Sequence, residues 1–173
     1  MRRRSLRPSP IATALLVAIS ALAMTVPASL AIMTKASMAD LAAGSTGIVQ
    51  GKVTSVTSQW DTEGKTIFTY VTVAVNRWLK GTGAKAVTIR IPGGEVGDVG
   101  LWVEDTPVFR EGQDVITFLE PSGEESVMKV KAMFQGKFTV ENGKVIEAGL
   151  PIGDFVRMVS SIVKMQEKEL NQK

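Results

Sequence analysis

Four carboxylates, Glu95, Asp98, Glu104 and Asp105, fall in one short glycine-containing stretch, and Ser161 and Lys164 stand three residues apart near the end of the chain. These are the groupings whose residue types could do chemistry, because the sequence has no histidine and no cysteine. Without either, the usual zinc ligand sets cannot be assembled, and neither can a Ser-His-Asp or Cys-His nucleophile. What remains is a carboxylate pair working as acid and base, hard oxygen ligands for calcium, or a serine activated by lysine.

Each of these has a plainer rival. Ser161-Ile162-Val163-Lys164 matches an S-x-x-K string, yet the companion S-D-N and K-T-G strings are missing, and Gln166, Glu167 and Lys168 continue it as solvated helix surface. The acidic stretch lacks the spacing of an EF-hand and shows no apolar enclosure that would raise one carboxyl's pKa. Gly94-x-x-Gly97-x-x-Gly100 is not a dinucleotide fingerprint, and Gly51-Lys52 runs into Val53 inside a strand rather than into a phosphate loop. No catalytic residue, metal or cofactor is expected, and the chain is not read as an enzyme.

Aromatic residues offer a different use. Trp60, Phe68, Tyr70, Trp78 and Trp102 could face solvent, whereas Phe109, Phe118, Phe134 and Phe138 read as core. Exposed rings give a large contact area at low entropic cost, and loops at the ends of a barrel are where ligands are met. The expected binding surface therefore combines Trp60, Tyr70 and Trp102 with the loop carrying Glu95 and Asp98. Its rival is that these rings simply seal the barrel.

The elements that must position these residues are mostly strands. Met33 to Ala43 reads as a short helix with Thr34 as its N-cap and Gly44 as its end. Ile48 to Val56 is a strand bent near Gly51, and Asp61-Thr62-Glu63-Gly64 is a turn. From Thr66, alternation puts Ile67, Thr69, Val71, Val73 and Val75 on one face. Phe68 and Tyr70 lie on the other, where cover by the N-terminal helix is expected. Ala86 to Ile91 is a strand, Pro92 to Gly100 a loop, Leu101 to Val103 an edge strand, and Val115 to Leu119 a largely buried strand. Met128 to Phe134 and Lys137 to Val140 are further strands, and Asn142-Gly143 is a hairpin turn with Lys144 to Ile146 returning. Phe155, Val156, Val159, Ile162 and Val163 form the apolar stripe of a C-terminal helix starting near Gly153, with fraying expected beyond Met165. The fold class is mainly β: a small barrel of about five to seven strands with a short N-terminal helix and an amphipathic C-terminal helix.

The first residues change where the chain should be found. Arg2, Arg3, Arg4 and Arg7 precede the apolar run Ile11 to Val26, and Pro27-Ala28-Ser29-Leu30-Ala31 follows. This is the order of a signal peptide, with Ser29 and Ala31 at the small-residue positions of its cleavage site. The run is shorter than the roughly 20 residues a membrane-spanning helix needs. Removal of residues 1–31 takes four arginines and no acid, leaving 16 Lys plus Arg against 17 Asp plus Glu. The basic balance that would attract nucleic acid leaves with them. The expected organisation is a signal peptide at 1–31, a barrel domain at 32–150 and a helix packed on it at 151–173. The destination is secreted or periplasmic, with no membrane span after cleavage, and the chain is expected to be a monomer.

A resemblance is carried by "GIVQGKVTSV", "IFTYVTVAVNRWLKG", "VTIRIPGGEVGDVGLWVEDTPVFREGQDVITFLE" and "MFQGKFTV". In this order, over roughly Ala36 to Val140, they are similar to uncharacterised exported bacterial proteins with an oligonucleotide/oligosaccharide-binding (OB) type barrel. The resemblance implies that barrel and transfers no activity. More remotely, the helix, the curved strand and the long strand ending in Lys80-Gly81 resemble the N-terminal domain of tissue inhibitors of metalloproteinases and netrin-like modules. Those inhibitors hold the protease zinc with a disulfide-pinned N-terminal cysteine. Here the cleaved chain would begin at Ile32 without one, so the resemblance implies the barrel and not the wedge. The expected function is that of a noncatalytic binding domain for a protein, peptide or envelope polymer. The alternatives are an accessory part of an envelope assembly, docked through Phe155, Val159 and Ile162, or an inhibitor-like module that inserts the loop from Gly93 to Gly100 into a protease cleft.

Overall fold

The computed structural model describes residues 35–172, so the expected leader and its cleavage site lie outside the described residues. Helix α1 spans Met38–Gly44, starting later than Met33. Its start is set by a capping box: Ser37 Oγ accepts the Asp40 amide at 3.1 Å, and the Asp40 carboxylate accepts the Ser37 amide. The Ser37 hydroxyl also donates to that carboxylate at 2.6 Å, and this bond, with the one from the Ser37 amide, holds the Asp40 carboxyl below its ordinary pKa. Gly44 is the last helical residue, and at this end Lys80 Nζ donates to the carbonyl of Ala42 at 2.6 Å. The lysine that ends the long strand thus satisfies a carbonyl left open at the helix terminus.

Strands β1 (Gly47–Trp60) and β2 (Ile67–Lys80) form a long antiparallel hairpin. Its register shifts between Gln50 and Gly51, as the glycine suggested, and also at Ile48/Val49 and Val53/Ser55. A side chain at Gly51 would collide with the Ala74 backbone, so the strands approach there as only glycine allows. β3 (Ala86–Pro92) pairs with β2. The expected loop after it contains a hairpin instead, β4 (Gly94–Val96) and β5 (Val99–Leu101), turning at Gly97-Asp98. The edge strand expected at 101–103 accordingly lies two residues earlier, and Trp102 follows its end. β6 (Asp114–Pro121), β7 (Val127–Val130), β8 (Lys137–Glu141), β9 (Lys144–Val145) and β10 (Leu150–Pro151) follow.

Pairing runs in the circuit β1-β2-β3-β7-β6-β1, with β8, β9 and β10 added beside β6. The result is mainly β and barrel-like without being fully closed. Its seam between β3 and β7 is parallel and only two residue pairs wide, Thr88↔Val127 and Ile89↔Met128. Arg90 reinforces that seam from outside, donating to Glu124 and to the Ser122 carbonyl, each at 3.1 Å. The strand segments outnumber the expected five to seven because β4, β5, β9 and β10 have only two or three residues each.

The core has two compartments. Val49, Val53, Val71, Val73, Ile89, Val115 and Leu119 fill the barrel. Ile48, Ile116, Phe118, Phe138 and Val145 face outward and are covered by α1 and by α2 (Ile152–Leu170) through Leu41, Ala42, Phe155, Val156 and Val159. β6 serves both compartments on alternate residues, which is why Val115 to Leu119 reads as an unbroken apolar run. Phe138 packs between Phe118 and Phe155, at centroid distances of 5.6 and 4.9 Å. Helix α2 does not fray after Met165. It continues to Leu170, and Gln166 Nε2 donates to the Ala39 carbonyl at 2.9 Å. Among the described residues, no helix is long and apolar enough to cross a membrane.

Two aromatic expectations need correction. Phe134 is 49% exposed, not core, because the stretch expected as one strand over 128–134 breaks after Val130. Ala132 and Met133 take left-handed φ values of 54° and 56°, and Met133–Gly136 is a 3-10 turn. The cover over Phe68 and Tyr70 comes from elsewhere in the barrel: the Arg90 guanidinium lies 4.6 Å from the Phe68 ring centroid, and Tyr70 OH donates to Glu124 at 3.1 Å.

Candidate functional site

The β4–β5 hairpin is fixed to the β1–β2 sheet by two hydroxyls. Thr69 Oγ1 donates to the Gly93 carbonyl at 2.7 Å, and with that hydrogen committed, Ser58 Oγ is the donor to Thr69 Oγ1 at 2.9 Å. Gly93 also donates its amide to the Ile67 carbonyl at 2.8 Å. At Gly94, φ is 132° and an added Cβ would collide with Thr69 Oγ1 and Ser58 Oγ. A glycine here lets the chain cross directly over the sheet.

That crossing leaves a groove of about 700 Å3. Its floor includes Val56, Ser58, Thr69 and Val71, one wall is the hairpin with Glu95, Gly100 and Leu101, and the opposite wall is the strap from Val103 to Phe109, which turns at Glu104-Asp105. Trp102 stands at the rim with 85% of its surface exposed. A large indole so open to water is an uncommon use of a tryptophan that packing alone does not explain.

The expected binding residues are only partly gathered here. Glu95 and Trp102 line the groove. Asp98 sits in the turn at the hairpin tip, and Trp60 ends β1 with 40% exposure. Tyr70 follows Thr69 on the strand and is therefore turned to the opposite face, where it meets Glu124. Ser58, Thr69 and the strap were not singled out in the sequence. The doubled glycine Gly93-Gly94 was the available signal, since two adjacent residues without side chains mark a close backbone approach.

A second, smaller concavity of about 350 Å3 lies on the other side of the same strap, lined by Arg110, Lys137, Thr139, Glu147 and the exposed Phe134 and Ile146 among others. Lys137 Nζ donates to Thr139 Oγ1 at 2.6 Å, and the threonine hydroxyl can pass its own hydrogen to Glu147 Oε1 at 2.7 Å. Glu147 Oε2 also accepts the Thr139 amide at 2.7 Å. Burial holds Lys137 below its ordinary pKa and the Arg110 charge adds to this, while Glu147 and Glu141 oppose it. The threonine is itself buried and saturated with partners, so the arrangement reads as a bracket joining β8 to the turn after β9.

The acids of the β4–β5 region do not converge: among the described residues, no three carboxylates come close enough to hold a metal ion. Ser161 and Lys164 both lie on the exposed side of α2. No family model matches the chain, and no curated protein matches its sequence.

Proposed function

We propose that the protein is an exported, noncatalytic binding domain, acting in the periplasm or outside the cell, and that its ligand is a protein, peptide or envelope polymer held in the groove beneath the β4–β5 hairpin. The observation that carries this reading is the open groove of about 700 Å3 with the 85% exposed Trp102 at its rim. Its lining joins apolar side chains to a few fixed polar groups, the composition expected of a binding cleft. Burial of Phe155 and Val159 in the protein's own core, with Ile162 half-buried beside them, favours this reading over an accessory part docked through that stripe.

The test is capture of a partner from the envelope fraction by the wild type, by Trp102→Ala and by Gly100→Trp. Gly100 lines the groove, and a Cβ added there meets only Glu95 Cγ at 3.6 Å, so a large side chain can fill the opening without moving the backbone. The reading predicts loss of the same partner with both folded variants. Undiminished capture by both would contradict it.

A further inference from the structure

The groove is bounded by a strand edge to which no strand is paired among the described residues. Asp61 donates its amide to the Thr66 carbonyl across the β1–β2 turn. By the two-residue period this turns the amides of Gln59 and Thr57 toward β2, and those of Val56, Ser58 and Trp60 toward the opposite edge. On that edge β6 accompanies β1 only from Gly47 to Lys52, and bonds between Val53 and the Gly112-Gln113 turn complete the pairing. At Val56 the amide is taken by Glu111 Oε1 at 3.1 Å, a carboxylate standing where a strand carbonyl would stand. Beyond it, the edge amides of Ser58 and Trp60 have no partner among the described residues.

The facing wall also resembles a strand without a ladder. From Pro107 to Arg110 residues alternate between buried and exposed, and among the described residues the amides of Val108 and Phe109 donate to no backbone carbonyl. Glu95 is the one charged side chain among the described residues that line the groove, and Arg110 at the end of this wall lines the smaller concavity instead. Residues 93–109 contain Glu95, Asp98, Glu104 and Asp105 and no lysine or arginine, and none of the four forms an ion pair among the described residues.

We infer that the groove binds an extended, basic peptide segment, which adds as a strand to the free edge of β1 at Ser58 and Trp60 while its lysine or arginine side chains meet the acidic hairpin and the face of Trp102. This rests on the groove being the binding site, as proposed above. Main-chain bonding to an open edge supplies affinity, and alternate side chains supply selectivity. The acidic wall favours cations through a field that salt weakens, and an exposed indole is the best aromatic partner for a cation.

The probes are three blocked eight-residue peptides, titrated into the isotopically labelled protein. The first alternates lysine with threonine, the second has glutamate in place of lysine, and the third is the lysine peptide methylated on every backbone nitrogen, so that neither of its edges can donate. The lysine peptide should saturate and slow hydrogen exchange at the Ser58 and Trp60 amides. The glutamate and methylated peptides should each bind at least about tenfold more weakly, through lost charge complementarity and lost strand bonds respectively. Trp102→Ala should weaken the lysine peptide by about two- to fivefold. Equal binding of the glutamate peptide, equal binding of the methylated peptide, or no saturable binding of any of them would overturn the inference. These outcomes are separable from failure of the groove itself: if the envelope partner is still lost with Trp102→Ala and Gly100→Trp, the groove stands and its occupant is of another chemistry. If capture is unchanged by both, the groove falls as well.

Discussion

The two halves of β1 meet opposite surroundings. From Gly47 to Val53 the strand is bonded along both edges, to β2 and to β6 with its preceding turn, and Ile48, Val49 and Val53 are fully or almost fully buried. From Thr54 to Trp60 it keeps β2 on one edge, while its other edge opens on the groove. One strand therefore belongs to the stable core at one end and to an interaction surface at the other. An open edge is a place where another chain can pair, and proteins ordinarily cover it. Among the described residues this edge is covered at one amide, with the Glu111 side chain.

The largest expected effect lies on the closed side. Phe155 is fully buried against Phe138 and anchors α2 over the outer compartment, so Phe155→Ala should cost about 3–5 kcal/mol in denaturant unfolding. If the contrast between the halves holds, the loss should appear as a global change in stability, with groove amides of the surviving folded protein unshifted. A loss below about 1 kcal/mol would mean that α2 contributes little to the core.

Next comes the base of the hairpin. Gly94→Val places a branched side chain at a φ of 132° and against two hydroxyls, for which about 1–3 kcal/mol of strain is expected. The change should be felt locally: altered amide shifts from Gly93 to Trp102 and at Ser58 and Thr69, with the signals of Ile48 to Gln50 unmoved. Unchanged hairpin signals would show that the hydroxyl pair does not hold it.

A smaller effect of opposite sign is expected beside the closed half. Thr117 pairs with Val49 and is completely buried, and its Oγ1 has no hydrogen-bond partner among the described residues. Thr117→Val keeps the shape and removes the unmatched hydroxyl, so stability should rise by about 1 kcal/mol. A drop of similar size on unfolding would show that the hydroxyl has a partner in solution.

The closed half was the legible half. Alternation of Ile67, Val71 and Val73, the unbroken run Val115 to Leu119 and the stripe Phe155, Val159, Val163 each leave a periodic trace, because each buries a regular face. The groove has no such trace. Ser58 and Thr69 are ordinary strand residues until Gly93 and Gly94 bring the chain across them, and that contact joins residues far apart in sequence. Grouping Tyr70 with Trp102 overlooked the strand period, which turns Tyr70 away from the face that Thr69 lines. The start of α1 at Ser37 was written in the chain as Ser-x-x-Asp, but the capping aspartate is a less familiar form of that box than glutamate. Phe134 could not be placed because its exposure follows from two left-handed residues, Ala132 and Met133, neither of which advertises a turn.

Residue-resolved hydrogen exchange along β1 of the free protein tests the contrast most directly. The amides that Val49 and Gly51 turn toward β6 should exchange only through global unfolding, Thr57 and Gln59 should be protected by β2, and Ser58 and Trp60 should exchange rapidly. Protection of Ser58 and Trp60 equal to that of Val49 would contradict this, because the edge assigned to a partner strand would already be filled.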